Sequence, residues 1–163
     1  MIFFAADDKN KRAMLAFVLA TLAVGVAATV FTTPSIEGWY HDLIKPDFNP
    51  PDWVFAPVWT ALYVLMAVAA WRVWKVTGLN SKEMKLYGAQ LVLNFLWSFL
   101  FFFLHRIEWA LFDIFALWVL ILATAKAFHK KDALAGLMFL PYLAWVGFAM
   151  GLNYAILTLN PGQ

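Results

Sequence analysis

The chain has 163 residues, of which 64% are hydrophobic and only 13% charged, against roughly 45–50% and about 25% in soluble domains. A soluble protein this small could not bury so much apolar surface, so the composition predicts an all-α integral membrane protein. There is no cysteine, which excludes disulfides and cysteine-based metal sites, and a net charge of +2 is too small to indicate nucleic-acid binding.

Five apolar segments of sufficient length to cross a bilayer follow one another along the chain. The predicted spans are about 13–32, 54–76, 84–104, 107–128 and 133–159. Residues 1–12 are predicted to be a solvated N-terminal tail and residues 160–163 a C-terminal tail. The first apolar segment exceeds the roughly 7–15 residues of a signal-peptide core, so it is interpreted as a retained helix. The sequence therefore predicts a single domain, a five-transmembrane-helix bundle.

The basic residues are distributed very unevenly between the two ends of these spans. With a cytoplasmic N-terminus, ten of the twelve lie on the cytoplasmic side, and only Lys45 and Arg106 lie on the other. Basic residues concentrate on the cytoplasmic side of membrane proteins. The five-span count then places the C-terminus outside.

Loop 33–53 is the one long connection, and it is rich in aromatic, acidic and proline residues. Aromatic residues at a membrane surface can form an interfacial belt, or they can surround the mouth of a pocket. Pro46, Pro50 and Pro51 restrict the backbone, which is consistent with a partly preorganised lid.

Polar and aromatic residues recur on one face of three predicted helices. These are Trp59 and Tyr63 of the second span, Gln90, Asn94 and Trp97 of the third, and Tyr142, Trp145, Ala149 and Asn153 of the fifth. Such stripes can hold membrane helices together through hydrogen bonds, or they can line a pocket for a flat, mainly apolar ligand. Spacing alone leaves both interpretations open.

Asp113 is the one acidic residue well inside a predicted span. An ionisable group at such a position indicates function, unless it pairs with Arg106 or Trp109 across a helical turn. Gly147 and Gly151 form a GxxxG motif, which favours close helix packing within the bundle or between subunits.

Conventional catalytic and metal-binding motifs are missing from the sequence. His41, His105 and His129 lie in loops or at span ends without ligand spacing, so no metal site is predicted. There is no nucleophile elbow, phosphate-binding loop or pair of carboxylates within a span. The sequence does not establish an enzyme, and a binding protein is the preferred interpretation.

Three motifs together resemble the tryptophan-rich sensory protein family, the bacterial branch of the translocator proteins or peripheral-type benzodiazepine receptors. They are WY-x-x-L-x-KP-x-x-x-PP-x-W-x-x-x-PVW-x-x-LY at 39–63, Q-x-x-x-N-x-x-W at 90–97 and PYLAW-x-x-FA-x-x-LNY at 141–154. The resemblance extends over essentially everything from residue 13 onward.

The resemblance implies a homodimer of five-helix bundles, with a pocket under the first loop. Members of the family bind porphyrins such as protoporphyrin IX and haem, as well as isoquinoline and benzodiazepine drugs, and animal members bind cholesterol. Porphyrin or haem would be a ligand here, and no cofactor is required. The motifs place the ligand-binding residues at Tyr40, Pro50, Trp59, Tyr63, Gln90, Asn94, Trp145, Ala149 and Asn153.

The resemblance thus predicts a tetrapyrrole-binding sensor or carrier in the membrane. Light- or oxygen-dependent porphyrin degradation through Trp59 and Trp145 is an alternative, and a structural membrane protein without a ligand is another. The chain has Phe48 where the family often has tryptophan, and it lacks the basic residue that the cholesterol consensus needs within five positions after Tyr154. Porphyrin is therefore preferred to sterol.

Overall fold

The computed structural model describes residues 2–162, with side chains from residue 8 onward. Its elements are α1 (Ile2–Glu37), α2 (Trp39–Asp42), α3 (Asp52–Thr77), α4 (Lys82–Ser98), a π-helical turn (Phe99–Phe103), α5 (Ile107–His129), α6 (Ala133–Leu137) and α7 (Leu140–Leu159). No strand occurs in this part of the chain. Five segments are long and apolar enough to cross a membrane, so the predicted five-helix membrane bundle is confirmed.

The bundle is organised around two apolar cores. The larger one lies between the spans and includes Met66, Val73, Leu117 and Ile121, which are almost completely buried. The smaller one gathers Tyr40, Leu43, Phe101, Ile107, Leu152 and Ile156 at one end of the bundle. Many large apolar side chains instead face outward, as a lipid environment allows; they include Leu19, Val92, Phe112 and Phe115.

The first helix is longer at both ends than the sequence predicted. It begins at Ile2, so the charged segment before residue 13 is helical rather than a loose tail, although residues 8–12 are exposed. It also continues through Pro34 to Glu37. Lysine and arginine favour helix, and a proline in a membrane helix removes only one hydrogen bond. The irregular part of loop 33–53 is therefore shorter than predicted, and we call residues 38–51 the lid.

The last span is divided rather than continuous over 133–159. It consists of α6 and α7, with a turn at Met138 and Phe139 between them. Pro141 explains the break, since proline has no N–H for the Leu137 carbonyl and disfavours helical geometry in the preceding residue. Gly136 allows α6 to lie against the end of α5, because a Cβ there would be 2.7 Å from the Cα of His129.

The third span changes its hydrogen-bond pattern before it ends. The Leu104 N–H donates to the Phe99 carbonyl five residues earlier, at 3.0 Å. This π-helical turn takes up one extra residue per turn and so rotates the side chains that come after it. Phe101 is thereby buried in the smaller core, where it stacks on Trp97 with ring centroids 5.3 Å apart.

The two glycines of the GxxxG motif have different surroundings. A Cβ at Gly147 would lie 3.2 Å from the Trp118 Nε1, whereas no atom lies within 4 Å of one at Gly151. Trp118 donates to the Leu143 carbonyl at 3.1 Å. Gly147 therefore serves packing between α5 and α7 inside the bundle.

An ion pair joins two helices at the end of the bundle away from the lid. Arg72 Nη2 lies 2.7 Å from Asp132 Oδ2, and the other oxygen of Asp132 caps α6 by accepting from the Ala135 N–H at 3.1 Å. Desolvation alone would raise the pKa of Asp132, but the Ala135 N–H and the Arg72 guanidinium hold that pKa below its ordinary value.

Candidate functional site

A cavity of about 330 Å³ lies beneath the lid, between α1, α3, α4 and α7. It is near the lower end of the volumes typical of small-molecule sites. Its lining is mainly apolar and aromatic, with a few amide and hydroxyl groups. This combination matches the general construction of ligand pockets, in which apolar walls supply contact and polar groups set orientation.

Three tryptophans from three helices form the aromatic walls. Trp59 comes from α3, Trp97 from α4 and Trp145 from α7. Trp59 and Tyr63 are four residues apart on one helical face, with ring centroids at 5.7 Å, and Trp145 meets Phe55 edge to face at 5.9 Å. Such walls offer flat, polarizable surfaces to an aromatic ligand.

A chain of hydrogen bonds forms the floor. Tyr63 Oη donates to Asn94 Oδ1 at 2.5 Å, Asn94 Nδ2 donates to Tyr142 Oη at 2.9 Å, and Tyr142 Oη donates to Gln90 Oε1 at 3.0 Å. All four side chains are buried. The network connects α3, α4 and α7, so the helix-joining interpretation of these stripes also holds. Tyr63 and Asn94 both join helices and line the cavity, whereas Tyr142 and Gln90 lie behind them.

A second pair of hydrogen bonds positions Asn153. Its Oδ1 accepts from the Trp97 indole at 3.1 Å, and its Nδ2 donates to the Ile107 carbonyl at the same distance. Both ends of this amide are therefore occupied within the bundle, which fixes the Trp97 ring beside the cavity.

The lid contributes Tyr40 to the upper part of the cavity. Its hydroxyl donates to Asn49 Oδ1 at 3.1 Å, and Asn49 Nδ2 donates to the Pro50 carbonyl at 3.0 Å. Burial raises the pKa of Tyr40 to about 12, the nearby Asp52 carboxylate adds to the rise, and the hydrogen bond to Asn49 opposes it. The phenol is therefore neutral at physiological pH.

Seven of the nine residues that the motifs indicated line the cavity; they are Tyr40, Trp59, Tyr63, Asn94, Trp145, Ala149 and Asn153. Gln90 does not, because it is completely buried at the far end of this network, where its amide donates to the Met66 Sδ at 3.8 Å. Pro50 does not line it either, and its carbonyl accepts a hydrogen bond from Asn49 within the lid.

The first helix is the part of the site that sequence reasoning missed. Gly25, Ala28, Thr29 and Thr32 line the cavity from α1. The hydroxyls of Thr29 and Thr32 donate to carbonyls of their own helix at 2.7 and 2.9 Å. The spacing carries a signal for this face, since Gly25, Thr29 and Thr32 follow one another at helical intervals.

Five buried side-chain polar atoms have no hydrogen-bond partner within the described residues, and two of them belong to residues that the sequence analysis singled out. These two are Asp113 Oδ2 and Trp145 Nε1. Asp113 does not line the cavity. Among the described residues it forms no ion pair with Arg106 and no hydrogen bond with Trp109. Trp145 does line it, and an acceptor supplied by a ligand would satisfy a donor whose unpaired state costs about 1–3 kcal/mol.

The sequence as a whole was compared with known proteins. A model of the TspO/MBR family matches residues 17–159. The chain belongs to the TspO/MBR family. It is 43% identical over 144 residues to the tryptophan-rich protein TspO of Chlorobaculum tepidum, covering 86% of this chain and 90% of the relative.

Other TspO/MBR relatives come from bacteria and animals. The tryptophan-rich sensory protein of Cereibacter sphaeroides is 40% identical over 144 residues, with 88% of this chain and 90% of the relative covered. The translocator protein of Sus scrofa is 40% identical over 129 residues, with 77% and 76% covered. Family membership and the five apolar helices together establish an integral, multi-pass membrane protein of the translocator type.

Proposed function

We propose that this protein is a membrane sensor or carrier for tetrapyrroles such as protoporphyrin IX or haem. The observation that carries the proposal is the cavity in which Trp59, Trp97 and Trp145 surround an otherwise apolar space with an amide and hydroxyl floor. Indoles can stack on a macrocycle, and the floor supplies the few polar contacts that orient it. Isoquinoline and benzodiazepine ligands are likewise aromatic and mainly apolar.

Titration with protoporphyrin IX tests the proposal. Binding to the purified protein should be saturable, should quench tryptophan fluorescence and should shift the porphyrin absorption band. Trp59→Ala and Trp145→Ala should each weaken binding about tenfold or more, because a stacked aromatic contributes about 1–3 kcal/mol. Trp109→Ala is the matched control, since Trp109 is 63% exposed and does not line the cavity.

The result that would contradict this function is equally definite. Binding that is not saturable, or that survives both cavity substitutions unchanged, would favour a structural protein whose aromatic residues serve the membrane interface.

Porphyrin degradation is the second candidate, and it is favoured by the presence of the oxidisable indoles of Trp59 and Trp145 in the same cavity. Light would excite the bound porphyrin, and dioxygen would be the oxidant. Illumination should then destroy the bound porphyrin faster than free porphyrin, with uptake of oxygen and dependence on both tryptophans. Bleaching at the rate of free porphyrin would leave binding as the whole function.

The lid would face away from the cytoplasm, on the basis of the ten-to-two distribution of basic residues. Because the chain has no cysteine, single cysteines can report the topology. In intact cells, Asp47→Cys in the lid should react with an impermeant maleimide, and Asn80→Cys between α3 and α4 should not. The reverse pattern would place the N-terminus outside.

A further inference from the structure

The charge in the lining of the cavity is of one sign, negative. Asp52, at the start of α3, lines its mouth. Among the residues whose side chains are described, no lysine, arginine or histidine lines it. An ionised carboxylate taken into such a space would lose its hydration without gaining a cation. The interior therefore suits the neutral parts of a ligand.

A cation nevertheless lies close to the mouth. Lys45 is the one basic residue in the lid apart from His41, and its Nζ is 4.6 Å from the centre of the Tyr40 ring. Tyr40 itself lines the cavity, so the ammonium group lies over a ring that is part of the lining. The ammonium donates to the His41 carbonyl at 3.2 Å, and its two other N–H groups meet no acceptor in the described part of the chain.

The backbone that carries Lys45 is held in place. The preceding residue, Ile44, is bonded through both its N–H and its carbonyl to the side-chain amide of Asn160, each at 2.9 Å. The following residue is Pro46, whose ring restricts the chain. The stem of Lys45 is flexible, but its base is fixed beside the mouth.

The size of the cavity bears on how a ligand would lie. A whole tetrapyrrole is larger than about 330 Å³, so part of the macrocycle must extend toward the lid. The two propionate groups of protoporphyrin are on one edge of the ring, and its vinyl groups are on the opposite side. The apolar interior is chemically suited to the vinyl side and not to the charged propionates.

We propose that Lys45 binds a ligand carboxylate at the mouth, so that the tetrapyrrole enters with its apolar edge first and keeps its propionate edge against the lid. This inference rests on the proposed function and specifies the chemistry of its ligand. Asp52 repels carboxylates from its own side of the mouth, which directs them toward Lys45.

Two probes that differ only in charge test the inference: protoporphyrin IX and its dimethyl ester, each titrated against the protein in the same detergent. Lys45→Gln should weaken binding of the diacid about tenfold, the effect of losing one charge-assisted hydrogen bond, and should leave binding of the ester unchanged. Asp52→Asn should tighten binding of the diacid only. Arg106→Gln is the control, because Arg106 is exposed and does not line the cavity.

The possible results are separable. Equal weakening of both probes by Lys45→Gln, or no effect on either, would overturn the role of Lys45 while leaving tetrapyrrole binding intact. The same loss with Arg106→Gln would also overturn it, because general surface charge would then be the cause. Failure of the wild-type protein to bind either probe would overturn the proposed function itself.

Discussion

The side-chain amide of Asn160 pairs with both backbone polar groups of Ile44, although 116 residues separate them. Asn160 Oδ1 accepts from the Ile44 N–H, and Nδ2 donates to the Ile44 carbonyl and also to the carbonyl of Ile156, at 2.8 Å. The amide therefore pairs with the backbone as a neighbouring β-strand would, and it connects the lid to the end of α7. Residues 160–163 were predicted to be a tail, whereas Asn160 has a structural role and holds the lid.

Asn160→Ala should release the lid without unfolding the helices. It leaves the backbone polar groups of Ile44 without protein partners. Because Ile44 is 60% exposed, water can replace those partners, so each lost hydrogen bond costs about 0.5–1.5 kcal/mol. Hydrogen–deuterium exchange should become faster in residues 38–51 and remain unchanged in α3 and α5. Asn80→Ala, in the exposed connection before α4, is the control. Unaltered exchange at Ile44 would mean that other contacts hold the lid.

Tyr142→Phe should destabilise the bundle by about 1–3 kcal/mol, because it removes the hydroxyl that joins Asn94 to Gln90 and leaves buried amide groups unpaired. The free energy of unfolding can be measured by denaturation with sodium dodecyl sulfate in mixed micelles. Tyr154→Phe on the same helix should have little effect, since Tyr154 is 59% exposed. Equal effects of the two substitutions would argue against a cooperative floor.

Gly25→Ala should displace the Tyr63 ring, because the new methyl group would be 2.5 Å from Tyr63 Cε2. The displaced ring would weaken the Tyr63–Asn94 hydrogen bond and narrow the cavity, so porphyrin affinity should fall. Gly88→Ala is the matched substitution in another helix, where no atom lies within 4 Å. It should be neutral or stabilising by up to about 1 kcal/mol, since alanine favours helix over glycine. Unchanged porphyrin binding in Gly25→Ala would show that the Tyr63 ring can yield without cost.

Asp132 should make the bundle sensitive to acid. A carboxyl group whose pKa is lower in the folded than in the unfolded state stabilises fully above the unfolded value, about 3.9, and loses this contribution as the pH falls through the folded value. Asp132→Asn keeps an oxygen that can cap α6 but loses the charge that faces Arg72, so it should cost up to about 1 kcal/mol at pH 7, and the difference from the wild type should diminish below pH 4 or so.

The control for this pH dependence is Asp47→Asn, which changes an exposed acid of the lid. Unfolding of both variants and the wild type would be followed from neutral to acidic pH. A difference between Asp132→Asn and the wild type that stays constant over the whole range would contradict the linkage to ionisation.

The number and type of the spans could be predicted because apolar length reflects the thickness of the bilayer directly. Helix ends were less predictable, and the prolines show why. Pro34 lies within a continuous helix, whereas Pro141 follows a break. The difference depends on which groups donate a hydrogen bond to the carbonyl that the proline leaves free, and on how the chain packs, and neither is encoded by local sequence.

Part of the candidate site could be predicted from the sequence for a similar reason. Trp59 with Tyr63, and Tyr142 with Trp145, could be assigned to common faces because helical spacing alone decides them. The pairing of Asn160 with Ile44 could not, since it depends on how distant parts of the chain meet. The contribution of α1 was also missed, because its cavity face is formed by glycine, alanine and threonine and carries no aromatic signal.

The π-helical turn at Phe99–Phe103 has a consequence for comparing this protein with its relatives. Because the turn adds one residue to the helix, the side chains after it are displaced by about a quarter of a revolution relative to a regular helix. In a relative with a regular helix here, the residue aligned with Phe101 in sequence would not occupy the same position in space. Residues beyond position 99 should therefore be matched by their location in space, and alignment columns in this segment are a poor guide to shared ligand contacts.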